Sequence, residues 1–269
     1  MAQLSSINFQ RTYLLSEAYE SIKERAIQVL DKYRKYPDLI TFNDLDRSVT
    51  FSTERLIPTA STNRHRVMLL FSNPHPHSIH QGMFLSPNTK GRENPFWSVM
   101  GEGDEGAGWL PIAEGNRDPE QLADICLKAN YQGPFELIFY CYYAFPTDFP
   151  EQIRRIFGRE HFSQFIEPEA IDEFRKTIKE TSVEAVVTFN KGIFNLVSKD
   201  QFERYIERLM EGKLIQSQIK DIDRYVPIFL TFPTGWRYHR HYRQFRKASL
   251  DTIRTAICSG SNVPESKNT

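Results

Sequence analysis

Four apolar runs of strand length punctuate the chain, at residues 67–71 (VMLLF), 135–143 (FELIFYCYY), 183–190 (VEAVVTFN) and 226–232 (VPIFLTF). Unbroken runs of this kind, closed by turn-forming residues, predict strands buried on both faces. Helical patterns separate them. Residues 15–36 carry Ala18, Tyr19, Ile22, Ala26, Ile27, Val29, Leu30 and Tyr33 at the spacing of an amphipathic helix, closed by Pro37. Further helices are predicted over 119–130, 153–157, 165–179 and 200–218, the last with Phe202, Tyr205, Ile206, Leu209 and Met210 on one side. Residues 38–58 alternate weakly and suit a hairpin or an extended cover. Strands alternating with helices imply a three-layer α/β sandwich, its central, mostly parallel, four-stranded sheet flanked by helices. The predicted organisation is an N-terminal helical extension (1–64) packed on an α/β domain (65–258), then a polar, disordered tail (259–269).

At 269 residues the chain can bury a full core, and its 20 Phe and 12 Tyr suit either that core or a groove that stacks planar ligands. Net charge is zero, so no global field announces a nucleic-acid partner. No apolar run is long enough to span a bilayer, and the first residues lack the pattern of a secretory signal, so a cytosolic protein without a membrane partner is expected. Three scattered cysteines, Cys126, Cys141 and Cys258, supply neither a disulfide framework nor the four thiolates of an iron–sulfur cluster. The Gly-rich stretch 101–108 lacks the order and the lysine of a phosphate-binding loop. His75, His77 and His80 have no carboxylate in their loop, so neither a metal nor a cofactor is expected.

The first strand delivers Ser72-Asn73-Pro74-His75, the place where open α/β sheets hold ligands. This strand, followed by Asn73-Pro74, Gly82, Phe84 and then Asn94, Phe96 and Trp97, resembles the first motif of the uracil-DNA glycosylase superfamily, closest to its mismatch-specific thymine/uracil branch. Pro233-Thr234-Gly235 is similar to the core of that superfamily's second motif, and 190–194 (NKGIF) to its strand–Gly-Lys–helix turn, with Asn190 in place of a glycine. The resemblance spans about 66–258. It implies a glycosylase-like sheet, DNA as partner, and hydrolysis of an N-glycosidic bond by a monofunctional enzyme without a cofactor.

On that resemblance Asn73 is the catalytic residue, its amide holding the attacking water. Ser72, Pro74, His75, Phe84, Asn94 and Phe232 line the base pocket, Phe84 by stacking on the extruded base. Thr234, Gly235, Trp236, Arg237, Arg240 and Arg243 meet DNA, and Trp236 or Arg237 fills the hole left by the base. Arginines at 237, 240, 243 and 246 recur every three residues and, on a helix, form a drifting basic band suited to phosphates. The chain departs from the family pattern at three places. Phe71 and His75 stand where glycines are usual, and Phe232 replaces a polar Asn or His. Those departures imply an unusual substrate, such as a bulky modified pyrimidine of foreign DNA. They leave open a catalytically silent nucleic-acid-binding module, or a nucleoside-type hydrolase. A monomer is expected.

Overall fold

The computed structural model describes residues 7–30, 36–60, 62–88, 90–102, 106–112, 118–233 and 236–260, and the backbone alone at 37, 236–241, 243 and 244. In chain order the elements are β1 (Asn8–Leu14), α1 (Tyr19–Leu30), β2 (Ile40–Asn43), β3 (Ser48–Leu56), β4 (His65–Phe71), α2 (Pro76–Gln81) and α3 (Pro95–Met100). Then come α4 (Pro119–Leu127), β5 (Phe135–Cys141), α5 (Pro150–Phe157), α6 (Arg159–His161) and α7 (Glu167–Glu180). The chain closes with β6 (Ala185–Thr188), α8 (Lys191–Val197), α9 (Tyr205–Met210), β7 (Gln216–Gln218), β8 (Pro227–Leu230) and α10 (Trp236–Cys258).

All strands join one eight-stranded sheet of order β1-β3-β5-β4-β6-β8-β7, with β2 also on β3. The four expected strands are its parallel centre, in the order β5-β4-β6-β8. The expected count of four is therefore corrected to eight, because antiparallel strands extend both sides of the centre. On one side β7 pairs with β8; on the other β3 pairs with β5, β1 and β2. The expected hairpin is β2–β3. The extension is thus part helix and part sheet.

β3 touches β5 only at Arg55↔Tyr140 and Leu56↔Phe139, then turns to β2 from Phe51 onward. Between these two partners Ser52, Thr53 and Glu54 have neither β2 nor β5 alongside. A cavity of about 20 Å³ lies in this seam, bordered by Arg11, Tyr13, Glu54, Tyr140, Cys141 and Glu169.

Alternate residues of the central strands feed two cores. Met68, Leu70, Ile138, Tyr140, Ile228 and Leu230 face α1, α5, α7 and α8, and the first of these helices buries Tyr19, Ile22 and Ala26 there. Val67, Leu69, Leu137, Phe139 and Phe229 face α3, α4 and the second half of α10. Every residue of β5 is buried, which explains its continuous apolar sequence. Glu136 is the polar exception. Its carboxylate takes the Arg66 guanidinium and the N–H and hydroxyl of Thr62, the latter at 2.9 Å.

The long helix expected over 200–218 is corrected to the short α9. Gly212 adopts φ +76°, which breaks the helical path, and the chain beyond it is drawn into β7. The predicted disordered tail lies outside the described residues from 261 onward.

Candidate functional site

The chain passes from β4 to β5 on one side and from β6 to β8 on the other. The crevice beyond the carboxyl ends of β4 and β6 is therefore the topological switch point of the parallel sheet. The loop after β4 brings Ser72 to His75 there, and the loop after β5 comes alongside, held by Tyr143 N–H to Ser72 O (2.8 Å) and Thr147 N–H to Pro74 O (3.2 Å).

Asn73 is half-buried and fully oriented. Its amide Nδ2 donates to Thr147 O at 2.6 Å, to Thr147 Oγ1 at 3.0 Å and to Pro74 O at 3.3 Å. Oδ1 accepts from the Ser72 hydroxyl at 3.0 Å. The donor end of the amide is thus committed to the protein, and the carbonyl oxygen keeps a lone pair for an incoming donor. Thr147 is completely buried, and its hydroxyl also donates to Phe149 O at 2.9 Å. Sequence reasoning missed that Thr147 sets the Asn73 rotamer, a contact 74 residues apart in sequence.

His75 differs from its expected role. Its Nδ1 accepts from His77 N–H at 3.2 Å, capping α2, and Nε2 meets Asp148 Oδ1 at 3.1 Å. Both ring nitrogens are therefore engaged by the protein rather than offered to a base. His77 lies between Tyr36 Oη (2.8 Å) and Pro87 O (2.7 Å), and His80 packs against the Tyr36 ring at 4.7 Å. The three imidazoles do not converge, and no cluster able to hold a metal occurs among the described residues. Through Tyr36 the N-terminal segment is tied to the loop that carries Asn73.

Phe84 and Phe232 prove to be buried in the core, and Asn94 serves as a helix cap. Phe84 is 2% exposed and packs on Phe71 and Phe139, at 5.8 and 5.6 Å between ring centres, so it is a core residue in this conformation. Asn94 caps α3, its Oδ1 accepting from Phe96 N–H at 3.0 Å ahead of Pro95. Phe232 is 1% exposed and packs on Tyr242 and Phe245, in the core on the opposite face of the sheet from Phe84. Gly82, read as part of the stacking segment, closes α2 at φ +78°, a left-handed position that favours glycine.

Phe71, in the place of a usual glycine, lies between two nearly parallel rings. Phe189 is 5.9 Å away at 13° and Phe139 is 6.1 Å away at 21°, with Phe96 edge-on at 5.8 Å. Only Phe71 in this row is partly exposed; Phe139 within β5 and Phe189 just after β6 are buried. Asn190 follows Phe189 and caps α8, its Oδ1 accepting from Ile193 N–H at 3.1 Å. Its φ of −126° is extended, so the expected tight turn with positive φ is replaced by an ordinary N-cap.

Thr234 and Gly235 lie outside the described residues, as do the side chains of Trp236, Arg237, Arg240 and Arg243. The backbone of the last four belongs to α10. Arg246 is corrected out of the exposed basic band. It is 2% exposed, its Nη2 donates to Pro233 O, and burial draws its guanidinium down to about 10. It anchors the loop that precedes α10.

Sequence reasoning also missed Glu54, 3% exposed beside Cys141 in the β3/β5 seam. Burial alone raises this carboxyl well above the usual range, and Oε2 has no hydrogen-bond partner among the described residues. Asn8, directly opposite on β1, likewise leaves Oδ1 buried without one.

Fold and site together define a three-layer α/β protein with a clamped asparagine at the switch point of its sheet. Comparison with protein-family models and with curated proteins found no match to this chain.

Proposed function

We propose that this chain is a DNA glycosylase resembling the uracil-DNA glycosylase superfamily, acting on an extruded, modified base. The orientation of Asn73 carries the reading. With Nδ2 held by Thr147 and Pro74, Oδ1 is the amide atom free to accept a hydrogen bond from a water and aim its oxygen at the sugar C1′. The glycosidic C1′–N bond breaks through an oxocarbenium-like state and its electron pair leaves with the base. A C1′–O bond then forms to the water, whose proton passes to solvent or to the departing base. An amide is not a strong base, so positioning rather than proton abstraction supplies the rate.

Phe71 and the engaged His75 support a base other than plain uracil, since both add bulk where the family has glycine. A second reading, a catalytically silent DNA-binding module, is favoured by the burial of Phe84 and Phe232, which withdraws both from a base pocket.

The test is alkaline cleavage of labelled DNA bearing uracil, a G·T mismatch, or hydroxymethylated or glucosylated cytosine. Strand breaks made by the wild type and abolished by Asn73→Ala are expected. DNA bound with a salt dependence that weakens on neutralising Arg240 and Arg243, yet never cut, moves the assignment to the binding module. Cleavage of free nucleosides without affinity for DNA overturns both.

A further inference from the structure

We propose that the ring of Phe149 is a stacking platform for a nucleobase flanking the one that faces Asn73; this rests on the DNA-directed reading above. Phe149 is 62% exposed, in a chain whose Phe84, Phe96, Phe139 and Phe145 are buried to 2% or less. It does not dangle. Its carbonyl accepts from Thr147 Oγ1 at 2.9 Å, its N–H donates to Gln152 Oε1 at 3.2 Å, and Pro150 follows at the start of α5. Gln152 also takes the N–H of Asp148 at 3.0 Å, and Asp148 meets His75.

The hydroxyl that fixes the Phe149 carbonyl is the one that orients Asn73. Hydrogen bonds of ordinary length therefore connect the Phe149 backbone, from which the exposed ring projects, to the Asn73 amide through one fully buried residue. A large, two-torsion aromatic side chain on an anchored backbone gives up little freedom when a flat partner covers it. Stacking on a base suits such a ring, because every base offers a π face whatever its sequence. The buried ring of Phe84 offers no such open face.

The experiment places 2-aminopurine on either side of each base of the cleavage panel, uracil and hydroxymethylated and glucosylated cytosine included, in a labelled duplex and in the corresponding single strand. Fluorescence and affinity are then read for the wild type, Phe149→Ala, Phe149→Leu and Phe149→Trp. Quenching at one flanking position is expected for the wild type and Phe149→Trp. Loss of that quenching, with affinity on the order of tenfold weaker, is expected for the Ala and Leu variants. An exposed position makes folding of all three a reasonable control, read as an unchanged thermal midpoint. If Phe149→Ala binds and quenches as the wild type does, this proposal is overturned while the DNA-directed reading stands. If the wild type binds none of these DNAs with salt dependence, that reading fails and the stacking role with it.

Discussion

Replacing Glu54 by glutamine should stabilise the protein by a margin that widens as pH rises. In the native state the carboxyl is buried in the seam between β3 and β5, and burial holds its pKa well above the usual value near 4.5. In the unfolded chain it ionises normally. Above that ordinary pKa the native state therefore keeps one proton more than the unfolded state. Stability falls by about 1.4 kcal/mol per pH unit until the raised native pKa is reached. Over the range in which the native carboxyl stays protonated the loss accumulates to a large share of the stability of an ordinary domain. Glutamine keeps the shape, cannot ionise, and brings an N–H₂ group toward the unpartnered Oδ1 of Asn8. Cys141, whose thiol is also raised by burial and by Glu54, stays neutral throughout this range. The assay is urea unfolding followed by far-ultraviolet circular dichroism at pH 5, 6, 7 and 8. Taking the difference between variant and wild type cancels the other titrating groups. The two stabilities should be similar at pH 5 and diverge above it. Parallel curves with a constant offset would refute the argument, because they would mean that Glu54 binds the same number of protons in both states.

Three further outcomes follow from the geometry. Thr147→Val removes the hydroxyl shared by Asn73 and Phe149 while preserving volume; it should cost about 1–2 kcal/mol in chemical denaturation and lower strand cleavage more than DNA affinity. Glu136→Ala leaves Arg66 and the Thr62 donors facing a buried gap and should cost about 3–5 kcal/mol, seen as a large fall in thermal midpoint. Phe71→Gly should cost about 2–4 kcal/mol, less than a fully buried Phe, and broaden the set of bases excised in the cleavage panel; unchanged base preference would exclude Phe71 as a determinant.

The parallel centre of the sheet was legible because strands buried on both faces read as continuous apolar runs. The added strands were not. β1 (NFQRTYL) has side chains only partly buried or exposed throughout, and β7 (QSQ) is three polar-flanked residues, so neither carries a hydrophobic signature. Asn73 was located correctly at the loop after β4, since a strand ending in Asn-Pro announces that place. The roles of its neighbours were harder to read. An Asn or His ahead of a proline has one sequence signature for a helix cap and for a ligand-facing loop, and His75 and Asn94 proved to be caps. Phe84 and Phe232 illustrate the same ambiguity for aromatics, whose composition is equal in a core and in a stacking groove. Thr147 and Glu54 depend on contacts between distant segments, which periodicity does not report.

The narrow contact between β3 and β5 bears on how the edge of the central sheet is covered. β5 is a buried strand, apolar but for Glu136, and one with an open hydrogen-bonding edge would recruit the same edge from another copy of the chain. β3 and the residues just after it lie along that edge, and the row is finished by β1, where Gln10 and Thr12 are exposed and Arg11 is tied to Glu169. The N-terminal strands thereby act as a guard against self-templated aggregation. Because their junction with the centre is only two residue pairs wide and has a buried acid next to it, ionising Glu54 should loosen the guard before the rest of the sheet opens.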